Sequence, residues 1–574
     1  MIYRQIIVLD NYSIIKKNSP IALVVNGRLT FFFGIFFFTN VLIPFAAWAQ
    51  KDTLKKISTI DINSVYKPVL RNSVKINFSA THLNADTTLP TLTYKIPAQN
   101  LFYSYQPFPL KPLALKQDTN LYFGLRNYVK VGYGNFSSPY IDAAFSFGDG
   151  KNYLVNLYAN YISAKGKLLN QDYLNMHIKL TGSYFIKNNE LYTTVDANKM
   201  HVFLYGYDTS MYHYSKKDVR QQVKDFQIKF GVRNTYTGSY GIKYNPSIMV
   251  SSFTNLNKLS ETTFILNAPL QKNFGKVFTF KLEAKLDITS YTTKNLLLNN
   301  IKISNNFFQL LPSLIFSTPR FKIHGGIEPT WDNGKFVMMP NVFAEAFIKE
   351  HVFAFEAGWV GRYTKNTYSN LFKINPYLKA INAQLNTKEL EYYWGIKATM
   401  TKHFNFNAKA GYVTYQNLPF FINDTAADNK SFVISNEVKV KSFKIHGDIS
   451  YINKEKFTAT GSLTLNGYTG MNSNAKAWHT IPMEFTSSLR WWAFKQVLLK
   501  VDFYVFGTGH YLTKGNISKT YNSGSDLSAG IEFKINKTFS AWMDINNILN
   551  NKYERWHNYQ VYGFNLMGGV RAVF

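Results

Sequence analysis

From about Tyr128 onward, apolar and polar residues alternate at every second position over long stretches of the chain. Between Phe278 and Ile288, one set of alternate positions holds Phe, Leu, Ala and Ile, and the other holds Thr, Lys, Glu and Asp. The same period recurs in 457–465 and 527–536. Because successive side chains of a strand point to opposite faces, the pattern predicts strands with one apolar and one polar face.

Short turns and mostly longer connections alternate between these strands. The predicted short turns are 148–150, 187–190, 236–238, 272–275, 318–320, 349–351, 401–403, 453–455, 492–495 and 536–538. The longer stretches, rich in Asn, Tyr and Lys, include 206–221, 364–389, 416–436, 467–481, 507–525 and 546–561. A soluble sandwich would alternate in shorter strands. This rhythm instead predicts an all-β fold, an antiparallel transmembrane β-barrel of about 22 strands with short periplasmic turns and long extracellular loops, over residues 127–574.

Two segments test this prediction in detail. Between Glu437 and Tyr451 the apolar phase shifts after Val440, which predicts either a β-bulge or an upper part that stands above the lipid. At the C-terminus, Phe564, Leu566, Val570 and Phe574 share one face. We expect this alternating last strand to close the barrel against the first strand, near 128–133.

The N-terminal segment is the only stretch that approaches the length of a spanning helix. Residues 29–45 are apolar, Arg28 precedes them, and Ala47-Trp48-Ala49 follows them. A positive flank, an apolar run and an A-x-A site predict a secretory signal peptide over 1–49, cleaved near Ala49. A retained anchor helix is the alternative. Met1 need not be the true start, because the leader before Arg28 is long.

Residues 50–126 differ from the rest of the chain, since several prolines interrupt any regular element. The segment 101–109 is aromatic and extended. We expect a short Pro-rich extension that lies in the periplasm or in the lumen of the barrel. An inert lead-in to the barrel is the alternative.

Composition narrows the function classes. The 574 residues include no cysteine, which excludes disulfides, thiolate metal sites and a cysteine nucleophile. The formal charge of +30 comes from 64 Lys and Arg against 34 Asp and Glu, but these cations are dispersed and form no run of five. Nucleic-acid binding is therefore not predicted. Aromatic residues make up 17% of the chain, as expected where Tyr and Trp line both membrane interfaces.

Candidate chemistry is sparse. The eleven histidines are scattered and show no H-x-x-x-H or H-E-x-x-H spacing, so no metal site is predicted. Asp424, Asp428 and Asn429 resemble a calcium loop only loosely, because the glycine and the terminal glutamate of such loops are missing. No catalytic residue and no cofactor site is predicted, and we expect the protein not to be an enzyme.

One motif carries a resemblance to a known family. The residues Asn546-Asn547-Ile548-Leu549-Asn550, followed by Tyr553, are similar to the N-N-(I/L)-(L/F)-N-x-x-Y motif of TonB-dependent receptors of the Bacteroidetes type. Motif residues are Asn546, Asn547, Leu549, Asn550 and Tyr553. The weaker likeness covers most of 127–574, and it implies a 22-stranded barrel in the bacterial outer membrane.

The resemblance implies solute uptake or reception across the outer membrane. It also implies contact with outer-membrane lipid and lipopolysaccharide, insertion by the barrel-assembly machinery, and a link to TonB or other envelope proteins. Family members carry a longer plug domain than the 77 residues of 50–126, which show no plug pattern. Two alternatives therefore stay open: a plug-less barrel acting as a structural or assembly partner in an envelope complex, and a passive porin.

Overall fold

A computed structural model describes residues 127–574 except for 257–258, 294–300, 350–351, 401–402 and 454–455. The predicted signal peptide over 1–49 and the predicted extension over 50–126 lie outside the described residues. No helix within this described part of the chain has the length and apolar character needed to cross a membrane.

Strands dominate the described chain because its alternating segments pair with their neighbours in sequence. The strands are β1 (Tyr128–Gly134), β2 (Tyr140–Gly148), β3 (Tyr153–Lys165), β4 (Asp172–Ile186), β5 (Asn189–Phe203), β6 (Arg220–Asn234), β7 (Ile242–Tyr244), β8 (Ser247–Asn255), β9 (Ser260–Phe274), β10 (Phe278–Thr293), β11 (Ile301–Ser317), β12 (Phe321–Asp332), β13 (Lys335–Lys349), β14 (Phe353–Thr364), β15 (Thr387–Thr399), β16 (Phe404–Asn423), β17 (Phe432–Asn453), β18 (Phe457–Thr469), β19 (Met483–Trp492), β20 (Val497–Phe506), β21 (Gly509–Leu512), β22 (Ser518–Tyr521), β23 (Gly524–Lys534), β24 (Phe539–Asn546), β25 (Glu554–Trp556), β26 (Tyr559–Gln560) and β27 (Asn565–Val573). One α-helix, α1 (Tyr368–Ile374), and a 3₁₀ turn at Lys514–Asn516 complete the described elements.

The main sheet closes on itself. Neighbouring strands of the ring pair antiparallel. The last strand, β27, pairs with β1 in the register Val570 to Val131 and Val573 to Tyr128. The strands β7 and β8 both pair with β9 and together occupy one position, so the ring has 22 strands. The small pairs β21–β22 and β25–β26 lie outside the ring. The predicted antiparallel barrel of about 22 strands is confirmed.

The two ends of the barrel differ as the sequence predicted. All ten predicted short turns fall between consecutive barrel strands at one end. Six long loops lie at the other end: L1 (204–219), L2 (365–386), L3 (424–431), L4 (470–482), L5 (507–523) and L6 (547–564). The stretch 416–436 is mostly not a loop, because β16 and β17 stay paired as far as Asn423 and Phe432.

The ladder between β16 and β17 is regular at the predicted phase shift after Val440, where Val440 is buried on the inner face and Phe443 is exposed on the outer face, and its irregularity lies at Val438. Pairing of β16 with β17 runs from Gln416–Lys439 directly to Leu418–Glu437, leaving Asn417 and Val438 out of the ladder without a change of register. Asn417 has a left-handed φ of 57°. Because the register is unchanged, no residue is inserted into either strand and this irregularity is not a β-bulge. The hairpin beyond it pairs with neither neighbouring strand, so it projects above the barrel wall.

The two faces of the wall have different compositions. On β10, Phe278, Phe280 and Ile288 are exposed on the outer face, whereas Asp287 and Thr289 are buried on the inner face. An outward apolar band suits lipid, since a charge facing the bilayer midplane costs about 2–4 kcal/mol. The inner face is polar, so we expect a functional site in the lumen.

Candidate functional site

Three of the long loops start from points spread evenly around the rim. L1 joins the fifth and sixth strands of the ring, L2 the thirteenth and fourteenth, and L6 the last two. A barrel of this strand number and tilt is about 40 Å across. Loops that start a third of the circumference apart meet only by extending over the mouth of the barrel.

These three loops do meet, through one tyrosine each. The ring of Tyr559 in L6 stacks on Tyr377 in L2, with centroids 3.4 Å apart, and lies edge-on to Tyr205 in L1 at 4.8 Å. Tyr205 and Tyr377 are 6.2 Å apart. We call Tyr205, Tyr377 and Tyr559 the tyrosine junction. Burial raises the pKa of all three phenols well above the usual value, so they stay neutral.

The hairpin loop L3 joins this arrangement from another part of the rim. The hydroxyl of Tyr559 donates to the carbonyl of Lys430 in L3. The hydroxyl of Tyr214 in L1 donates to the carboxylate of Asp428 in L3. L1 and L3 rise ten strand positions apart in a ring of 22, so this second contact spans nearly the full mouth.

Local structure positions L2 for its contact. Helix α1 begins after Thr367, whose side chain accepts a hydrogen bond from the amide of Asn370. The buried carboxylate of Glu261 on β9 accepts from the amides of Tyr368 and Ser369 at 2.7 and 3.0 Å. A carboxylate at a helix N-terminus satisfies free amide groups and the helix dipole. L2 is thereby fixed to the barrel wall.

L4, L5 and L6 meet around His479. Its Nδ1 donates to the carbonyl of Phe421 at 2.7 Å, and its own carbonyl accepts from Nη1 of Arg555 in L6 at 2.8 Å. Its amide donates to the carbonyl of His510 in L5 at 2.8 Å. Burial lowers the pKa of His479 to about 3, so the ring is neutral and acts as a structural centre for the three loops.

A carboxylate on the projecting hairpin holds L4 in place. Glu437 is fully buried and accepts hydrogen bonds from the backbone amides of Asn472, Ser473 and Asn474. Burial acts against its charged form, but these amides outweigh that effect and lower the pKa of Glu437. The six loops L1–L6 are therefore joined into one layer over the mouth, which we call the cap.

A pocket of about 110 Å³ lies where the cap meets the barrel wall. Trp478 and Arg555 contribute from the cap, and Tyr415, Glu389 and Lys444 from the wall. It combines aromatic faces with groups of both charges, a mixture that suits a polar organic solute. Asp424 and Asp428 do not form a calcium loop, since they pair with Lys379 and Lys430 instead.

Below the pocket, the inner wall carries paired charges. Glu391 is fully buried and binds Arg362 at 2.8 Å and Lys409 at 2.9 Å. Arg362 also binds Glu389 at 3.1 Å. Lys397, on the same strand as Glu391, binds Glu345 of β13 at 2.8 Å. Such pairing compensates part of the cost of removing these charges from water.

The residues predicted for barrel closure lie on the outer face. Phe564, Leu566, Val570 and Phe574 are all exposed there, and β27 is bonded to both β24 and β1. The structure does not bring them to the lumen. They belong to the apolar band that faces lipid.

The family-motif residues lie at the start of L6 and shape it. Asn547 and Asn550 have left-handed φ values of 48° and 51°, which Asn tolerates better than most residues. Nδ2 of Asn547 donates to the carbonyls of Asn551 and Tyr562 at 2.8 and 2.9 Å. Oδ1 of Asn550 accepts from the amide of Phe564 at 2.9 Å.

The other motif residues have different surroundings. Asn546 bonds to Asn565 at 3.3 Å, Tyr553 is buried and donates to Asp526 at 3.3 Å, and Leu549 is exposed. The motif is thus a two-asparagine turn that ties the outgoing and returning ends of L6 together. This turn sets the direction of the loop that carries Tyr559.

Replacement of Asn547 by alanine is expected to loosen L6. The change removes three hydrogen bonds of its side chain and places alanine at a positive φ, for a cost of about 2–3 kcal/mol. Limited proteolysis of intact cells should then cut within 547–564. The matched variant Leu549→Ala, which alters an exposed side chain of the same loop, should resist the protease like the wild type. Equal resistance of both variants would contradict this role for Asn547.

Sequence reasoning missed the tyrosine junction. The long loops were recognised as rich in Tyr, but alternation in a sequence carries no signal about which loops meet above a closed barrel. For the lumenal charges, the alternation predicted only a polar face on each strand and not which residues pair across strands. Within the described residues, no group of three His, Cys, Asp or Glu side chains could hold a metal ion.

The chain matches no known family model and no curated protein sequence. Its fold is similar to that of the siderophore receptor PirA from Acinetobacter baumannii, with a TM-score of 0.62 and 10% identity over 78% of this chain and 80% of that one. The pyoverdine outer-membrane receptor FpvA from Pseudomonas aeruginosa gives a TM-score of 0.59 and 11% identity, covering 78% of each chain.

A mutant of the ferric enterobactin receptor PfeA from Pseudomonas aeruginosa gives a TM-score of 0.58 and 11% identity, over 78% of this chain and 80% of that one. These likenesses concern the fold. The chain has the barrel fold of outer-membrane siderophore receptors, the TonB-dependent type that its motif in L6 resembles.

Proposed function

We propose that the protein is an outer-membrane receptor that takes up a polar organic solute. The observation that carries this proposal is the pocket beneath the cap, which opens between aromatic cap residues and charged residues of the inner wall. A purely structural barrel has no need of such a lining. A passive porin is less compatible, because its mouth has to stay open and here the loops meet over it.

The fold supports the location and partners that we propose. The apolar outer face contacts outer-membrane lipid and lipopolysaccharide, and the barrel-assembly machinery inserts the chain after its signal peptide is cleaved near Ala49. Coupling to TonB supplies energy if uptake is active. The protein acts by binding and transport, without catalysis and without a cofactor.

Uptake of labelled compounds by a deletion strain tests the proposal. Strains without the gene are supplied with single nutrients from a panel of polar organic compounds, each labelled so that uptake is measured directly. We expect lost uptake of one class of compound and its recovery with the wild-type gene. Trp478→Ala, which changes the pocket, should not restore uptake, whereas Trp331→Ala on the outer wall should.

The alternatives give different results in the same experiment. Unchanged uptake of every compound, together with stoichiometric co-purification of other envelope proteins, would replace the receptor by a structural or assembly partner. Uptake that persists when TonB is absent and shows no saturation would indicate a passive pore.

A further inference from the structure

We propose that L1 is a flap that opens the cap along its seam with L3 and L6. The inference goes beyond the proposed function, because it concerns how the lumen is reached from outside whatever the solute is. It rests on how differently the six loops are tied to one another. The seam is formed by Tyr205, Gly206 and Tyr214 of L1 against L3 and L6.

The other side of the cap is held by backbone hydrogen bonds. The amide of Lys379 in L2 donates to the carbonyl of Phe432 at 2.9 Å, and the amide of Phe432 donates to the carbonyl of Tyr377 at 3.0 Å. L4 and L5 are joined in the same way through His479 and His510. L6 is anchored to L4 by Arg555, which is 1% exposed. These loops form a fixed part.

L1 is attached differently. Among the described residues, the backbone hydrogen bonds of 204–219 run within L1 or to Phe203 at the end of β5, and none reaches another loop. Its links to L6 and L3 are made by side chains: Tyr205 to the carbonyl of Gln560 at 2.8 Å, Asn558 to the carbonyl of Gly206 at 3.3 Å, and Tyr214 to Asp428. Side-chain links of this kind separate without breaking any strand pairing.

Most of the outer part of L1 is also solvent-exposed. Residues 208–211 and 215–218 are exposed, and Met211 keeps 71% of its surface accessible. The buried part consists of the short stretch 204–207, which contacts the tyrosine junction, and Val219 at the base of the loop. A segment with few buried contacts and exposed backbone opens at a lower free energy than the fixed part does.

A methyl group added at Gly206 tests the contact between L1 and L6. A Cβ at this position would lie 2.4 Å from the ring of Tyr559, which is itself fully buried. The ring has no room to retreat because it stacks on Tyr377. Gly206→Ala should therefore push L1 away from L6. Gly238→Ala is the matched control, since a Cβ there meets nothing within 4 Å.

The test uses the absence of native cysteine in the chain. A single Thr364→Cys places the only thiol in the pocket beneath the cap, and intact cells are treated with a membrane-impermeant maleimide. We expect labelling about tenfold faster or more when Gly206→Ala is added, because overpacking at the seam favours the open form. Addition of Gly238→Ala should leave the rate unchanged. Met211→Cys, on the exposed part of L1, should label fast in every background.

Heat-modifiable migration on gels shows which variants are folded. If Gly206→Ala does not fold, the test rests on Tyr214→Phe, which removes the hydroxyl that joins L1 to Asp428 and Lys430 of L3 and should also raise the labelling rate. Labelling of Thr364→Cys at the wild-type rate in every folded seam variant would overturn the flap. The experiment needs no solute, so its failure would leave the proposed uptake function standing.

Discussion

Replacement of Gly569 by alanine is expected to prevent closure of the barrel. Gly569 lies on β27, opposite Gly132 of β1, in the seam where the last strand meets the first. A Cβ at this position would lie 1.9 Å from the carbonyl oxygen of Val131 and 2.6 Å from Cα of Gly132. Both are backbone atoms, so no side-chain rotation relieves the clash.

Only separation of β27 from β1 makes room for the added carbon. Overpacking in a rigid surrounding costs about 3 kcal/mol or more, and separation also leaves two unpaired strand edges in lipid. We expect Gly569→Ala to give little folded protein in outer-membrane fractions, measured as loss of the heat-modifiable gel band. This effect should exceed that of any loop variant.

The neighbouring glycine is the control. A Cβ on Gly568 would lie 3.4 Å from the carbonyl oxygen of Trp542, an ordinary van der Waals contact. Gly568→Ala should therefore assemble like the wild type, although it changes the same strand by the same methyl group. Normal folding of Gly569→Ala, or equal loss in both variants, would contradict the close approach of β27 to β1.

The barrel could be predicted from the sequence because each feature that determines it is local. Alternation within a strand fixes which side chains face lipid, and a turn such as 187–190 marks where the chain reverses. Even the antiparallel pairing follows from consecutive strands. The irregularity at Asn417 was not predicted, since a single left-handed residue leaves no periodic signal.

The cap could not be predicted from the sequence, because its contacts join residues that lie far apart in the chain. Tyr205, Tyr377 and Tyr559 are separated by long stretches of sequence, and they meet only because a closed ring brings their loops to one point. The lumenal pairs are an intermediate case. Arg362 and Glu389 are register partners on β14 and β15, so strand pairing alone places them together, whereas the contact of Glu391 with both Arg362 and Lys409 needs three strands in correct order.

Replacement of Glu391 by glutamine is expected to cause the largest loss of stability among lumenal variants. Its carboxylate is fully buried between Arg362 on one neighbouring strand and Lys409 on the other. Both cations lose a carboxylate partner, and their desolvation is then less well compensated. Removing one partner of a buried ion pair typically costs about 3–5 kcal/mol.

The same strand supplies a control for this prediction. Glu389 is also buried, but it pairs at 3.1 Å with Arg362, a cation that retains Glu391 as a partner. In urea unfolding followed on gels, Glu391→Gln should lower the midpoint clearly more than Glu389→Gln. Adding Lys409→Gln to Glu391→Gln should recover part of the loss, because it removes a cation whose carboxylate has gone. Equal midpoints for the two single variants would mean that Glu391, which bridges three strands, contributes no more than Glu389, which pairs with Arg362 on one neighbouring strand.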